Sequence, residues 1–329
     1  MRTIAIIGSG SWGVALAIHM AKNGNKVKLW AFSNDDIDTI INNRECRFLP
    51  GIKIPDTVEC TLSYEEAIKD SDLILHVTPS KFFRENVRQY KQYVTNQPIL
   101  ICSKGLEMET LSTLDEVLEE EIPNAKIGVL SGPSHAEEVS VGVPTALVIA
   151  SKHNDVIELA QEVLATNTLR LYSNNDVRGV SIGGALKNII AFCAGVAYAL
   201  ELGDNSFAAL ITRGLTEISR LGEKMGGEKQ TFYGLTGLGD LIVTCESKHS
   251  RNRRAGILIG QGKTLEETKQ EIGMTIESID NIEIAYKLAE KYNIEMPITS
   301  AVYDLLHGNL KPAEAVNMLM TRRLRSENE

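Results

Sequence analysis

The ten residues from Ile4 to Gly13, I-A-I-I-G-S-G-S-W-G, constrain this chain more than any other stretch. An apolar run stops abruptly in glycines at positions 8, 10 and 13, and Val14 to Ala21 continues in helix-forming residues. A short apolar run bounded by glycine suits a strand buried on both faces, so the local order is strand, glycine turn, helix. That order fits a dinucleotide pyrophosphate. Side chains at Gly8 and Gly10 would block the turn and the approach of the backbone, while the helix N-terminus offers unpaired N–H groups to an anion. Gly13 lets helix and strand pack closely. A structural turn with no ligand carries the same glycines, and the placement after the first strand favours the nucleotide.

A chain of 329 residues exceeds what one hydrophobic core usually supports, so two domains are expected. The net charge of −9 argues against general nucleic-acid binding, because a polyanion is repelled unless cations are gathered into one site. Five cysteines (46, 60, 102, 193 and 245) include no C-x-x-C pair, which reads as reduced cytoplasmic thiols without a metal site. The first strand follows Met1 so closely that no room is left for a targeting segment. Asn188 to Leu200, the longest uncharged run, is too short to span a bilayer, so no integral membrane segment is expected.

Lys26 to Phe32 reads as a second strand after the helix stop Asn23-Gly24-Asn25, closing a βαβ unit. An NAD site usually carries an acid at the end of this strand, and an NADP site an arginine nearby. Here Ala31-Phe32-Ser33-Asn34 offers neither, and the acids come only at Asp35 and Asp36, so the choice between NAD and NADP stays open. Phe32 either lies along the adenine or packs in the core. A helix over 35–43, a two-proline loop over 48–55 and a short helix over 64–69 follow. Ser71 to Pro79 is then a strand. Thr78 to Phe83 would line the cofactor cleft, with helix packing as the other role for Phe82 or Phe83. Pro98 to Ile101 leads to Lys104-Gly105, and Lys126 to Ser131 leads to Gly132-Pro133-Ser134. Strands at 145–150 and 169–172 complete a parallel sheet with helical layers over residues 1–178. Beyond it, helical patterns at 182–202, 208–225, 264–270, 282–292, 298–306 and 312–319 make residues 179–329 a second, all-α domain. Thr321 to Glu329 reads as a solvated tail with cations suited to a helix C-terminus.

The chemistry concentrates in the second half. Gly183-Gly-Ala-Leu-Lys-Asn opens the most apolar helix of the chain, with Lys187 its one cation before Glu201. A buried ammonium must find partners or lose its proton, so Lys187 is a candidate general acid; a lysine snorkelling to solvent is the alternative. Asn188 either meets a substrate oxygen or satisfies backbone groups. In Tyr233 to Thr244, Asp240 and Thr244 fall at i, i+4 and share a face if helical. Asp240 would hold Lys187 charged, or cap a helix. Ser250-Arg-Asn-Arg-Arg is a dense cationic cluster in an acidic chain, and arginine forks match phosphate oxygens. A solvated face is the alternative, chiefly for Arg253 and Arg254.

Taken together, G-S-G-S-W-G (8–13), S-K-G-L-E (103–107), S-G-P-S-H-A-E-E (131–138), G-G-A-L-K-N (183–188), G-L-G-D-L (237–241), S-R-N-R-R (250–254) and M-P-I-T-S (296–300) resemble the bacterial NAD(P)-dependent glycerol-3-phosphate dehydrogenases. The resemblance implies a doubly wound, mainly parallel Rossmann domain followed by an all-α domain of the 6-phosphogluconate-dehydrogenase type. It implies interconversion of dihydroxyacetone phosphate and sn-glycerol 3-phosphate for glycerophospholipid synthesis, and a homodimer formed through the helical domain. By the same resemblance Lys187 is the proton donor and acceptor, and Lys104 stands between cofactor and substrate. Gly132, Ser134, Asp240, Ser250, Arg251 and Asn252 fall at the substrate. Ser11, Trp12, Phe32, Ala136, Arg251, Thr275 and Glu277 fall at the cofactor. Asn188 and Thr244 join the candidate catalytic set on the reading of the residues themselves. Two rivals remain open: a dehydrogenase of this architecture for another phosphorylated substrate, and a nucleotide-sensing protein without catalysis.

Overall fold

A computed structural model describes residues 1–324, 326 and 327, apart from the side chains of Asn34 and Asp35. Arg325, Asn328 and Glu329 of the expected tail lie outside the described residues, as does the Asp35 side chain considered for the ribose. The chain forms two compact units, Met1–Ala185 with Met225–Asp240, and Leu186–Lys224 with the residues from Leu241 onward.

The first unit alternates strands and helices. They run β1 (Thr3–Ile7), α1 (Ser11–Lys22), β2 (Lys26–Trp30), α2 (Asn34–Asn43), β3 (Glu45–Cys46), β4 (Leu49–Lys53), β5 (Val58–Thr61), α3 (Tyr64–Ile68), β6 (Leu73–His76) and α4 (Phe83–Tyr90). β7 (Ile99–Ile101), α5 (Leu114–Glu121), β8 (Ile127–Ser131), α6 (Ala136–Val141), β9 (Thr145–Ser151), α7 (Asn154–Leu164) and β10 (Leu169–Asn174) follow. Eight strands form one sheet in the order β10, β9, β8, β7, β6, β1, β2, β5. Its central strand β1 is buried on both faces, as its continuous apolar run requires. Ile4 and Ile6 enter a core layer with Val14, Leu16 and Ile18 of α1, while Ala5 and Ile7 enter the opposite layer with Trp30, Phe83 and Tyr90.

Three features depart from the expected parallel sheet. β9 runs antiparallel to β8, pairing Val129 with Ala150 and Ser131 with Val148, and β10 follows β9 in parallel. The expected two-proline loop contains strand β4, which pairs antiparallel with β3 across a turn at residues 47–48, and Gly51 inside β4, at φ +78°, lies where the register shifts. β5 pairs in parallel on β2 and closes the sheet edge.

A single helix, α8 (Val177–Ala199), carries the chain from the first unit into the second. The boundary expected at 178/179 falls two residues into this helix; the units part at Ala185 and Leu186. Residues 225–240, assigned from sequence to the helical domain, belong to the first unit. Asp176 explains part of this, since its carboxylate accepts from Gly179 N at 2.7 Å and from Glu228 N at 2.8 Å. The helix is also longer than its uncharged run: at 23 residues it is long and apolar enough to cross a membrane, but 89% of its most apolar window is buried inside the protein. The run from Asn188 to Leu200 covers only part of this helix, which also takes in Arg178 and Lys187, and its burial is that of a core helix.

The second unit holds α9 (Gly203–Lys224), then, after the short α10 (Lys229–Phe232) of the first unit, α11 (Asp240–Glu246), α12 (Arg251–Gly260), α13 (Leu265–Ile272), α14 (Glu277–Tyr292), α15 (Pro297–Leu306) and α16 (Pro312–Met320). α8 and α12 cross at glycines. A Cβ on Gly195 would lie 2.0 Å from Arg253 O, and one on Gly256 would lie 1.9 Å from Phe192 O. No side chain fits there, so the two backbones touch and the start of α12 is fixed against α8.

Candidate active site

The glycine turn has the shape a pyrophosphate needs. Gly8 has φ +126°, and a Cβ there would sit 2.9 Å from Val77 O. A Cβ on Gly13 would fall 1.9 Å from Gly8 O, so only glycine lets α1 return this closely to β1. Gly10 caps α1 with extended backbone and no side-chain hydrogen bond, and the space its Cβ would point into is open. The first N–H groups of α1 are thus left without a side-chain cap beside an open face, which is the donor set an anion takes. These residues fit a dinucleotide.

Ser11 opens α1, and Trp12 is half-buried with its indole Nε1 enclosed and without a hydrogen-bond partner among the described residues. Phe32 is 77% exposed just past β2, edge-on to Trp30 at 6.3 Å, which sets aside its reading as core packing. Phe83 is core and Phe82 partly exposed, as the helix-packing alternative allowed for one of them. Ala136 is buried at the first position of α6. Sequence reasoning missed the β3–β4 hairpin, whose Cys46 thiol donates to Ser9 O at 3.3 Å and seats the hairpin on the glycine turn. A strand pair with a proline and a glycine in one arm gives little alternation to detect.

A second cluster in this unit gathers at the carboxyl ends of β7 and β8. Lys104 Nζ donates to Asp240 Oδ2 at 2.7 Å, to Gly132 O at 2.9 Å and to Ser134 Oγ at 3.5 Å. Ser134 Oγ also donates to Gly132 O at 2.9 Å. Asp240 is 1% exposed, while Lys104 keeps some access to solvent. Gly184 makes room here, because a Cβ on it would meet Ser131 Oγ at 2.8 Å. Thr236 ties the stretch before Asp240 to both neighbours, donating to Ser131 Oγ at 2.8 Å and Val180 O at 3.0 Å. Four residues distant in sequence, Lys104, Gly132, Ser134 and Asp240, are thereby brought together. A buried carboxylate is costly without such a partner, and the pair leaves a held, partly accessible ammonium.

In the second unit Lys187 is 5% exposed, which rules out snorkelling, and its ammonium donates to Thr244 Oγ1 at 2.7 Å. Asp240 and Thr244 lie one turn apart on α11, as their spacing allowed. Each accepts from a lysine: Asp240 from Lys104, a bond the sequence did not suggest, and Thr244 from Lys187. Asn188 Oδ1 accepts from Asn252 Nδ2 at 2.9 Å, and Asn252 Oδ1 accepts from Ser278 N at 3.0 Å. The glycine crossing of α8 and α12 brings these asparagines within reach, and Ser278 stands beside Glu277 at the start of α14. Ser250 caps α12 through its side chain, accepting from Arg253 N at 3.2 Å. Arg251 is half-buried at the first position of α12, and Thr275 is half-buried ahead of α14. Arg253 lies over the Tyr198 ring at 4.6 Å and Arg254 is exposed, so the solvated-face reading holds for Arg254 alone.

Elsewhere in this unit a cavity of about 790 Å³ is lined by Val196, Leu210, Ile298, Val302 and the buried Glu217; none of the predicted site residues lines it. Among the described residues no group of three His, Cys, Asp or Glu side chains is arranged to hold a metal.

Residues 3–157 match the family described as NAD-dependent glycerol-3-phosphate dehydrogenase N-terminus, and residues 176–317 match the corresponding C-terminus. The chain is 48% identical to a Fusobacterium nucleatum glycerol-3-phosphate dehydrogenase (NAD(P)+) over 98% of its own length and 97% of the relative's. It is also 48% identical to one from Bacillus cereus over 100% and 98%. A crystal structure of glycerol-3-phosphate dehydrogenase from Coxiella burnetii superposes with a TM-score of 0.95 at 39% identity, covering 98% of this chain and 99% of that one. With both halves of the chain matched and relatives 48% identical over nearly its full length, the chain belongs to the NAD-dependent glycerol-3-phosphate dehydrogenase family.

Proposed function

We propose a division of labour among these residues in the family's reaction. The chain is an NAD(P)-dependent oxidoreductase of glycerol 3-phosphate, and supply of that product for phospholipid synthesis is consistent with the family. The glycine turn with Ser11 and Trp12 holds the dinucleotide, with Phe32, Ala136, Thr275 and Glu277 as further contacts. When bound, the nicotinamide supplies the hydride that reduces the ketone. Lys187 passes a proton from Nζ to the substrate's carbonyl oxygen, and Thr244 orients that ammonium through its hydroxyl. Lys104, held by Asp240 and Gly132, offers a second positive charge to the developing alkoxide. Asn188 and Asn252 keep α8, α12 and α14 in register, while Ser250, Arg251 and Asn252 at the start of α12 take the phosphate.

The observation that carries this reading is the burial of the Lys187 ammonium against the Thr244 hydroxyl. An ammonium so enclosed and held by a hydroxyl is fixed in place, and proton transfer to an oxygen needs a donor positioned within hydrogen-bond reach. The phosphate supplies binding energy remote from the reacting carbon, which can be spent on orientation. A homodimer formed through the helical domain and a cytoplasmic location, in keeping with the five free cysteines, complete the proposal. The test is to follow NADH and NADPH absorbance side by side with dihydroxyacetone phosphate. Oxidation of either nucleotide on adding this substrate supports the reading; saturable nucleotide binding without oxidation would leave a sensing protein.

A further inference from the structure

His76 ends β6 at the centre of the sheet, paired with Ile7 of β1 on one side and Ile101 of β7 on the other. It is fully buried, yet both ring nitrogens have partners. Nδ1 lies 3.1 Å from Tyr90 Oη and Nε2 lies 2.6 Å from Thr78 Oγ1, while Phe83 stacks on the ring at 4.1 Å. Burial drives its pKa down to about 3, so at working pH the ring is neutral, with one N–H and one lone pair. Each nitrogen faces a hydroxyl, which can donate or accept, so either tautomer satisfies the group.

The residue it grips stands between two working parts of the first unit. Val77 N donates to Ile7 O at 2.8 Å, and Val77 O and Thr78 N occupy the space that a Cβ on Gly8 would need. On the other side Ser103 Oγ donates to Thr78 O at 2.5 Å, and Cys102 N donates to His76 O at 2.9 Å. Lys104 follows directly. The Val77–Thr78 turn is therefore a shim with the glycine turn on one side and the lysine-bearing strand end on the other. Its own backbone is fixed on both flanks, and its side chain is fixed from beneath by His76.

We propose that His76 is a positioning residue for the reduction, gripping Thr78 so that the Val77–Thr78 turn keeps the Gly8 turn and the Ser103–Lys104 turn at one fixed spacing. This rests on the reading of the glycine turn as the dinucleotide site. A hydrophobic residue of similar size would fill the volume and leave Thr78 ungripped, and small misplacements of reacting groups are costly.

The test uses the full-length enzyme with His76→Leu, His76→Gln and Thr78→Val, measuring NADH affinity by fluorescence, kcat and KM for dihydroxyacetone phosphate, and the thermal midpoint. His76→Leu and Thr78→Val are expected to weaken NADH binding and lower kcat by about tenfold, with His76→Gln recovering most of both because its amide again reaches Thr78. The pH profile of His76→Gln keeps the wild-type limbs, since His76 does not titrate there. Folded His76→Leu or Thr78→Val protein whose NADH affinity and kcat both stay within about twofold of wild type, whatever its thermal midpoint, overturns the proposal. If His76→Leu does not fold, the nearly isosteric Thr78→Val decides alone. Inert wild-type enzyme would instead sink the dinucleotide reading itself.

Discussion

Arg251 occupies the first position of α12, where its guanidinium and the helix N-terminus both favour an anion. Truncating it to alanine is expected to raise the KM for dihydroxyacetone phosphate by about tenfold or more, the worth of a charge-assisted hydrogen bond, with a smaller effect on kcat. An unchanged KM would remove Arg251 from the phosphate. Gly8 and Gly13 were legible in the sequence because each does one local job, dictated by positive φ and by backbone contact; the helix that Ser250 caps was not. The hold of Asp240 on Lys104 was not legible. Spacing of i, i+4 puts Asp240 and Thr244 on one face, but it cannot show that Asp240 also meets Lys104, 136 residues away along the chain. The same holds for His76, whose role is set by Tyr90 and Thr78 rather than by any motif.

Among the elements, the start of α15 makes a separate prediction. Glu217 of α9 accepts from Ile298 N at 2.6 Å and from Thr299 N and Oγ1 at 3.1 and 3.0 Å, taking over the open amides of that helix. Burial raises its pKa from 4.5 to about 7, and the hydrogen bonds oppose that rise without cancelling it. The folded state therefore keeps the Glu217 proton between pH 4.5 and about 7, where the unfolded chain has released it. By linkage, the stability from this group is full below pH 4.5, falls as pH rises to about 7 and is level above. Glu217→Gln is expected to remove that slope from urea-unfolding free energies compared across this interval; an identical slope in both proteins would contradict the assignment. The direction of β9 belongs to this scale too. The six residues of α6 span about 9 Å, too little to carry the chain back along a strand of five residues or more before β9 begins. The eleven residues of α7 do return it, and β10 accordingly lies parallel to β9. Apolar patterning marks a strand but carries no direction, so the sequence predicted the strands at 145–150 and 169–172 and left the reversal unseen.

In the molecule as a whole, the alternation of strands and helices followed by helices alone was readable, since the period of the apolar pattern changes near Ser173 to Asp176. The point of division was not, because α8 runs unbroken through it and the return of 225–240 depends on contacts such as that of Asp176 with Glu228. Lys187 stands two residues beyond that division, on the most apolar helix of the chain, with its ammonium enclosed. This amine is the group proposed to deliver the proton that completes reduction. The most direct measurement is turnover of dihydroxyacetone phosphate by Lys187→Ala, taken together with its NAD(P)H affinity. A fall in kcat of about a hundredfold or more with nucleotide binding retained is expected, whereas turnover near that of the wild type would remove Lys187 from the role.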